Sequence, residues 1–261
     1  MAEKKQHTLV SATTNEVLKP GQKPPKPDRP EMKEAAPVGN AGSLRIGAVI
    51  LWVLAIVFEI LALLVVFGKI NISFIPSLWQ LIIFIVLDLI CVIIGSQLWK
   101  KANHIKPASE KDKVKFWLWN NLGLIVAVVA FVPLILLILT NKNMDKKTKT
   151  IATVVAVIAL LIGGASSIDY NPVSQEQQQA AMEIITDNVY WSTFGKVYHT
   201  HEDCQALNQS DQLTFGTVEQ AIAANRTRLC SFCAKRDAIS GVVTDEVDVS
   251  DYVAPAEEPA A

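Results

Sequence analysis

The fold turns on IGAVILWVLAIVFEILALLVVFG, residues Ile46–Gly68. The stretch carries one charge, Glu59, and is long enough to cross the ~30 Å hydrocarbon core of a bilayer as a helix, which takes about 20 residues. Three similar runs follow. Residues 70–99 hold one charge, Asp88, while 116–141 and 150–168 hold none. A chain of 261 residues has no room to bury four such runs as soluble core helices. The expected class is a mainly α membrane protein. Four transmembrane helices (about 46–68, 74–99, 116–140 and 150–168, within 45–169) precede a small α+β module.

The ends of the runs read as membrane interfaces. Trp79 and Trp99 flank the second run, and Trp117 and Trp119 open the third; indole rings favour the headgroup level. Residues 71–76 leave space only for a tight hairpin, with Pro76 near the start of the second helix, where a missing N–H matters least. Pro133 is expected to kink the third helix. No apolar core precedes the first run, so the first helix is expected to act as the insertion signal. Lys and Arg in short flanks mark the cytoplasmic side. Nine lie in the N-terminal flank and second loop (Arg29, Lys33, Arg45, Lys100, Lys101, Lys106, Lys111, Lys113, Lys115). Five lie in the first and third loops (Lys69, Lys142, Lys146, Lys147, Lys149). Both termini of this multi-pass chain are therefore expected in the cytoplasm.

Composition excludes other classes. The chain is 51% hydrophobic, yet its apolar residues are gathered into the four runs, which rules out a simple soluble globule and a fully disordered chain. A net charge of −1 gives no global case for nucleic-acid binding. Residues 1–44 are Lys/Pro-rich and are expected to be a disordered tail. The tail is either solvated near anionic headgroups or a polyproline segment for a protein partner. Residues 239–261 carry Asp245, Glu246, Asp248, Asp251, Glu257 and Glu258 without a base, and are expected to be disordered and solubilising.

Glu59 and Asp88 are the ionisable carboxylates inside the runs. Glu59 shares a helical face with Ala48, Trp52, Ala55 and Ala62, and Asp88 shares one with Cys91 and Gly95. Such mostly small faces point into a bundle. The hairpin places both acids within about one turn of the same depth. They form either a cation or proton site, or two protonated acids hydrogen-bonded across helices or subunits. Ala159, Gly163 and Ser167, spaced along one face of the fourth run, suit close packing in a bundle or a homo-oligomer.

After the fourth run, 171–188 reads as a helical connector capped by Asn171 with Pro172 as its first residue. Residues 189–198 read as a hairpin turning at Gly195. Thr217 and Gln220 form a capping box for a short helix that Asn225 stops in left-handed conformation. Around these lie His199, His201, Cys204, Cys230 and Cys233. A Cys-x-x-Cys knuckle puts two sulfurs on one metal, and a distant His/Cys pair closes the tetrahedron, giving the Cys₃His set of structural zinc sites. The expected ligands are His199, Cys204, Cys230 and Cys233, with His201 the alternative nitrogen. Arg226, Arg228, Lys235 and Arg236 are close enough in sequence to offset the site charge of −1. A redox Cys pair or a disulfide that leaves Cys204 unpaired are the competing readings.

The sequences Val197-Tyr-His199, Cys204, Thr217-Val-Glu-Gln-Ala221 and Leu229-Cys-Ser-Phe-Cys233 resemble the small zinc modules related to the metal-binding domain of Ada alkyl-DNA repair proteins. The resemblance spans 189–238, under a fifth of the chain. In Ada proteins four cysteines hold the metal and one accepts an alkyl group. Here His199 stands in place of one cysteine, so the resemblance implies a fold and a metal but no repair reaction. Modules of this type also occur at the ends of bacterial membrane and secreted proteins.

Three functional classes follow. The first is a membrane protein whose structural zinc module binds a protein partner or supports assembly. The second is a small ion or proton transporter or channel using Glu59 and Asp88. The third is a DNA-associated or redox zinc/cysteine protein. The sequence holds no nucleotide loop or nucleophile–base arrangement, so no enzyme is expected.

Overall fold

The computed structural model describes residues 7–19, 22–27, 39–245 and 247, and the chain divides into two compact units. One unit takes residues 40–103 and 111–170; the other takes 1–39, 104–110 and 171–261.

The first unit is helical: α1 Ala41–Val66, α2 Ser77–Ile105, α3 Lys113–Asn120, α4 Leu122–Thr140 and α5 Lys146–Ser167. Of these, α1, α2, α4 and α5 are long and apolar enough to cross a membrane. Helix α1 buries the anticipated face, Ala48, Trp52, Ala55, Glu59 and Ala62. It ends in a Schellman turn: Gly68 at φ +66 lets Gly68 N reach Val65 O (3.0 Å) and Lys69 N reach Leu64 O (2.8 Å). The hairpin to α2 is organised by Gln80, 1% exposed, whose side chain accepts from Ile72 N and donates to Asn71 Oδ1 and to the Ile72 and Ile75 carbonyls. On α5, Ala159, Gly163 and Ser167 are all buried, and Ser167 donates to Ser96 Oγ of α2 at 2.9 Å.

Three details differ from expectation. The third run is divided, because Asn120 and Asn121 donate their side-chain amides to the Phe116 and Trp117 carbonyls (3.0 and 2.9 Å) and compete with the main chain there. Trp99 is no interfacial anchor. It is 5% exposed, stacked between Trp52 (5.4 Å) and Trp119 (5.2 Å), with its Nε1 donating to Trp119 O. Arg45, counted above as a flanking charge, sits over the Trp99 and Trp119 rings at 5.7 and 5.3 Å. Trp79 and Trp117 are exposed.

The second unit contains β1 Thr8–Ser11, α6 Gln175–Ile184, β2 Val189–Ser192, β3 Val197–Tyr198, β4 Gln212–Gly216, α7 Val218–Ala223, β5 Arg228–Leu229 and α8 Ser231–Arg236. One sheet has the order β1-β4-β2, with β1 parallel and β2 antiparallel to β4; the other pairs β3 with β5 in parallel. The core gathers Val189, Trp191, Tyr198, Leu207, Leu213, Phe215, Ile222 and Leu229.

The tails are corrected where they are described. Residues 8–11 are not a disordered tail. They form β1, Leu9 faces Leu213 in register, and Leu9 is 6% exposed in the core. The segment continues against the module, with Thr13 Oγ1 accepting from Gln220 Nε2 (2.8 Å) and Pro25 O from Asn188 Nδ2 (2.6 Å). A Thr-Leu-Val-Ser strand is too short to stand out from its Lys/Pro-rich surroundings, and only its partner β4 orders it. Residues 243–245 likewise pair along β5, through Leu229 N→Val243 O (2.9 Å) and Asp245 N→Leu229 O (3.1 Å). Residues 41–44 belong to α1, and residues 1–6, 20–21, 28–38, 246 and 248–261 of the proposed tails lie outside the described residues. The connector helix starts at Gln175, not Pro172: Ser174 makes a reciprocal capping box with Gln177, which satisfies two helix-end donors, where Asn171 would satisfy one. Segment 104–110 joins the same unit through Gln175 N→Ala108 O (3.0 Å) and Glu110 N→Glu176 Oε2 (2.9 Å).

Candidate metal centre

Two short parallel strands assemble the site. Tyr198 of β3 stands opposite Leu229 of β5, so the residues that follow them, His199 and Cys230, emerge side by side. Cys230 N donates to Tyr198 O (2.9 Å) and fixes that register. His199 is pinned on its other side by a pair of main-chain bonds with Tyr190 of β2 (2.7 and 2.8 Å), which close the expected hairpin. Cys230 is the N-cap of α8 and Cys233 lies in its first turn, where helix N–H groups favour thiolate charge. Cys204 precedes a 3₁₀ turn, Gln205–Leu207, whose buried Leu207 anchors it in the core.

The ligand atoms of His199, Cys204, Cys230 and Cys233 all lie within 4.8 Å of one another, and the four residues are 1–4% exposed. Cys204 Sγ is 3.9 Å from Cys230 Sγ, and Cys233 Sγ is 3.8 Å from His199 Nδ1. A tetrahedron with ~2.3 Å metal–sulfur and ~2.0 Å metal–nitrogen bonds has edges of about 3.8 Å between sulfurs and about 3.5 Å between sulfur and nitrogen. The observed separations fit. A disulfide needs about 2.0 Å, and all three cysteines are free. The main-chain N–H of Ala206 serves the Cys204 sulfur and that of Cys233 serves Cys230, the support that thiolates require. In the thiol form, hydrogen bonds from Cys204 and Cys230 hold Cys233 far below the usual thiol range, while donating to its two neighbours pushes Cys204 far above it. Three thiols this close share protons that a cation would displace.

The other nitrogen is used elsewhere. His201 Nε2 meets Asp237 Oδ1 at 2.5 Å and Thr200 Oγ1 donates to Asp237 Oδ2, so the His201 side ties the loop to α8 instead of joining the cluster. Of the basic residues, Arg236 pairs with Asp203 (2.8 Å) and Arg226 donates to the Ser192 and Thr193 carbonyls of the hairpin turn. Arg228 lies in β5 and Lys235 in α8. Sequence reading missed Asp245, which lies outside any motif. Its carboxylate accepts from Ser231 N (2.6 Å), and its carbonyl accepts from Ser231 Oγ (2.7 Å), bracing the knuckle between Cys230 and Cys233. A groove of about 710 Å³ borders the His199–Cys204 loop, lined by Thr200, His201, Glu202 and Asp203 on one side and by Leu18 and Pro24 of the N-terminal segment on the other. In the helical unit, Asp88 is fully buried and Glu59 is 9% exposed.

Known protein families, curated proteins and solved structures were compared with the chain, and none matches it.

Proposed function

We propose that this chain is a multi-pass membrane protein whose soluble module is held together by one structural zinc ion and serves partner binding or assembly, without catalysis. The closed, buried set of His199, Cys204, Cys230 and Cys233 carries this reading. Three sulfurs and a nitrogen at tetrahedral spacing suit zinc among biological metals. The resemblance to Ada-type modules supports the same ion. Four protein ligands leave no open position for a reactive water, which argues for a structural role. The 710 Å³ groove beside the metal-bearing loop offers a partner a concave surface. A disulfide or redox pair of Cys230 and Cys233 is disfavoured by the gathering of Cys204 and His199 around the same two free cysteines, and DNA binding by the engagement of Arg226 and Arg236 within the module. The Lys/Arg distribution and the need for reduced thiols both favour a cytoplasmic module.

The test is the metal content of the purified full-length chain under reducing conditions, by native mass spectrometry, in wild type and Cys230→Ser. One zinc per wild-type chain, lost in the variant, is expected. A metal-free wild type, or a variant that keeps full zinc, overturns the proposal.

A further inference from the structure

Asp88 is fully buried in α2, and neither of its carboxylate oxygens has a hydrogen-bond partner among the described residues. Glu59 of α1 is the other carboxylate within the four long helices; α1 and α2 pack closely where Gly95 meets Trp52 and the Ala48 carbonyl, and Glu59 and Asp88 each lie seven residues from that contact, towards the turn of the hairpin. One end of the helical unit is marked where Asn141 Nδ2 donates to Val66 O (2.6 Å), tying the ends of α4 and α1 together. From that end Glu59 is about 10 Å inward from Val66, and Asp88 about 16 Å inward from Ser77. Both exceed the reach of a short acidic side chain to the headgroups.

Among the described residues of α4 and α5, no cation stands at the depth of the two acids. Helix α4 carries no ionisable side chain, and the lysines of α5 (Lys146, Lys147, Lys149) stand in its first turn. On Asp88's own helix the near titratable group is Cys91, buried one turn further on, and on α1 it is Glu59. The helical unit's buried core is otherwise apolar around residues such as Ala55, Ala62, Ile85 and Val92. An ionised acid at mid-membrane is heavily penalised, and two neighbouring acids do not both ionise there. An apolar side chain would fill the Asp88 site without that penalty and without two unmade hydrogen bonds. What a carboxyl adds at this position is the ability to take up and release a proton.

We propose that Asp88 and Glu59 form a single proton-binding site in the core of the four-helix unit, with an exchangeable proton held by the pair. The site is independent of the metal centre.

The full-length protein in phospholipid vesicles is treated with dicyclohexylcarbodiimide, which reacts with protonated carboxyls in water-poor surroundings. The acid O–H adds across one C=N bond, and the acyl group then moves from oxygen to nitrogen. The stable N-acylurea retains every atom of the reagent and has no leaving group. Peptide mass spectrometry is expected to find the adduct on Asp88 or Glu59, with a yield that falls as the medium is made alkaline. In Glu59→Gln the Asp88 yield at a fixed neutral pH is expected to change by about threefold or more, the signature of coupled titration. Absence of an adduct on both acids in wild type overturns the proposal. So does a yield that stays flat between about pH 5 and pH 9. An Asp88 yield-against-pH curve that superimposes on wild type in Glu59→Gln shows two separate structural acids and overturns it as well.

Discussion

Truncating Leu9 to alanine tests whether a strand that precedes all four spans is part of the metal module. Leu9 is 6% exposed, sits in the core with Leu213 opposite, and belongs to a strand paired with β4 over four residues. Burying a leucine side chain is worth about 2 kcal/mol. Large-to-small changes in cores cost about 3 kcal/mol once the cavity is included. The main-chain bonds that flank the strand, Thr8 N→Asp211 O and Ala12 N→Phe215 O (both 2.9 Å), remain possible in the variant, so the loss is one of packing. About 3 kcal/mol corresponds to roughly a hundredfold increase in the population of the opened edge, since 1.36 kcal/mol is tenfold. Hydrogen exchange of the full-length protein, followed by mass spectrometry, reads this directly. Peptides covering 211–216 are expected to exchange about a hundredfold faster in Leu9→Ala, while peptides from α4 stay unchanged. Thr8→Ala, at an exposed position of the same strand, is the control and should change exchange by less than about twofold. If β4 protection in Leu9→Ala stays within twofold of wild type, β1 is not part of the module's core and the assignment is wrong.

Three further outcomes are expected. His201→Ala keeps one metal per chain, whereas His199→Ala loses most of it at micromolar chelator; equal loss in both variants would return His201 to the ligand set, and metal analysis decides. Burial, with Glu202 and Asp187 nearby, pushes the Tyr190 phenol up to about 12 from 10.0, so the folded module keeps a proton that the unfolded chain releases. That contribution is complete below about pH 10 and is lost as pH rises towards 12, so urea titrations should show a smaller alkaline decline in Tyr190→Phe than in wild type. In the helical unit, a methyl group on Gly95 would lie 2.7 Å from Trp52 Nε1 and 3.2 Å from the Ala48 carbonyl, whereas one on Gly164 would meet Leu124 at an ordinary 3.5 Å. Thermal unfolding in detergent should therefore show Gly95→Ala destabilised by about 1–3 kcal/mol and Gly164→Ala near neutral.

The helices were legible because a membrane span is a one-dimensional signal: length and apolarity decide it, and α1 buries the very face that small-residue spacing picks out. The Cys/His cluster was legible for a similar reason, since Cys-x-x-Cys is a local geometry and few other Cys or His residues compete for it. Choosing between His199 and His201 was not possible from spacing, because both reach Cys204. Strand register decides it, by setting His199 beside Cys230 and leaving His201 to Asp237. The burial of Trp99 is not legible locally because its partners, Trp52 and Trp119, come from other helices. The strand of residues 8–11 and the Asp245 brace were invisible for the same reason: each is a polar or short segment that only a distant main-chain edge makes regular.

The pairing of β1 with β4 also bears on the number of spans. Residues 8–11 precede the first long helix and 212–216 follow the last, yet they share one sheet. Residues 108–110, between the second and third long helices, bond to α6 of the same unit. Three segments separated by pairs of long helices can meet in one folded unit only if each pair makes an even number of crossings, both helices or neither. Four complete crossings satisfy this; one crossing more or fewer would put β1 and β4 on opposite faces, with a bilayer between two halves of a sheet. Cysteines introduced one at a time at Thr14 and Ser240, with the four buried native cysteines left in place and the wild type as background, and probed with a membrane-impermeant maleimide in right-side-out and inverted vesicles, should therefore react in the same preparation. A cysteine introduced at Asn143, in the connection between α4 and α5, should react in the other. Reaction of positions 14 and 240 from opposite faces would be incompatible with the sheet. It would mean that one of the four apolar helices lies along the membrane rather than across it, and α5, whose first turn holds three lysines, would be the one to re-examine.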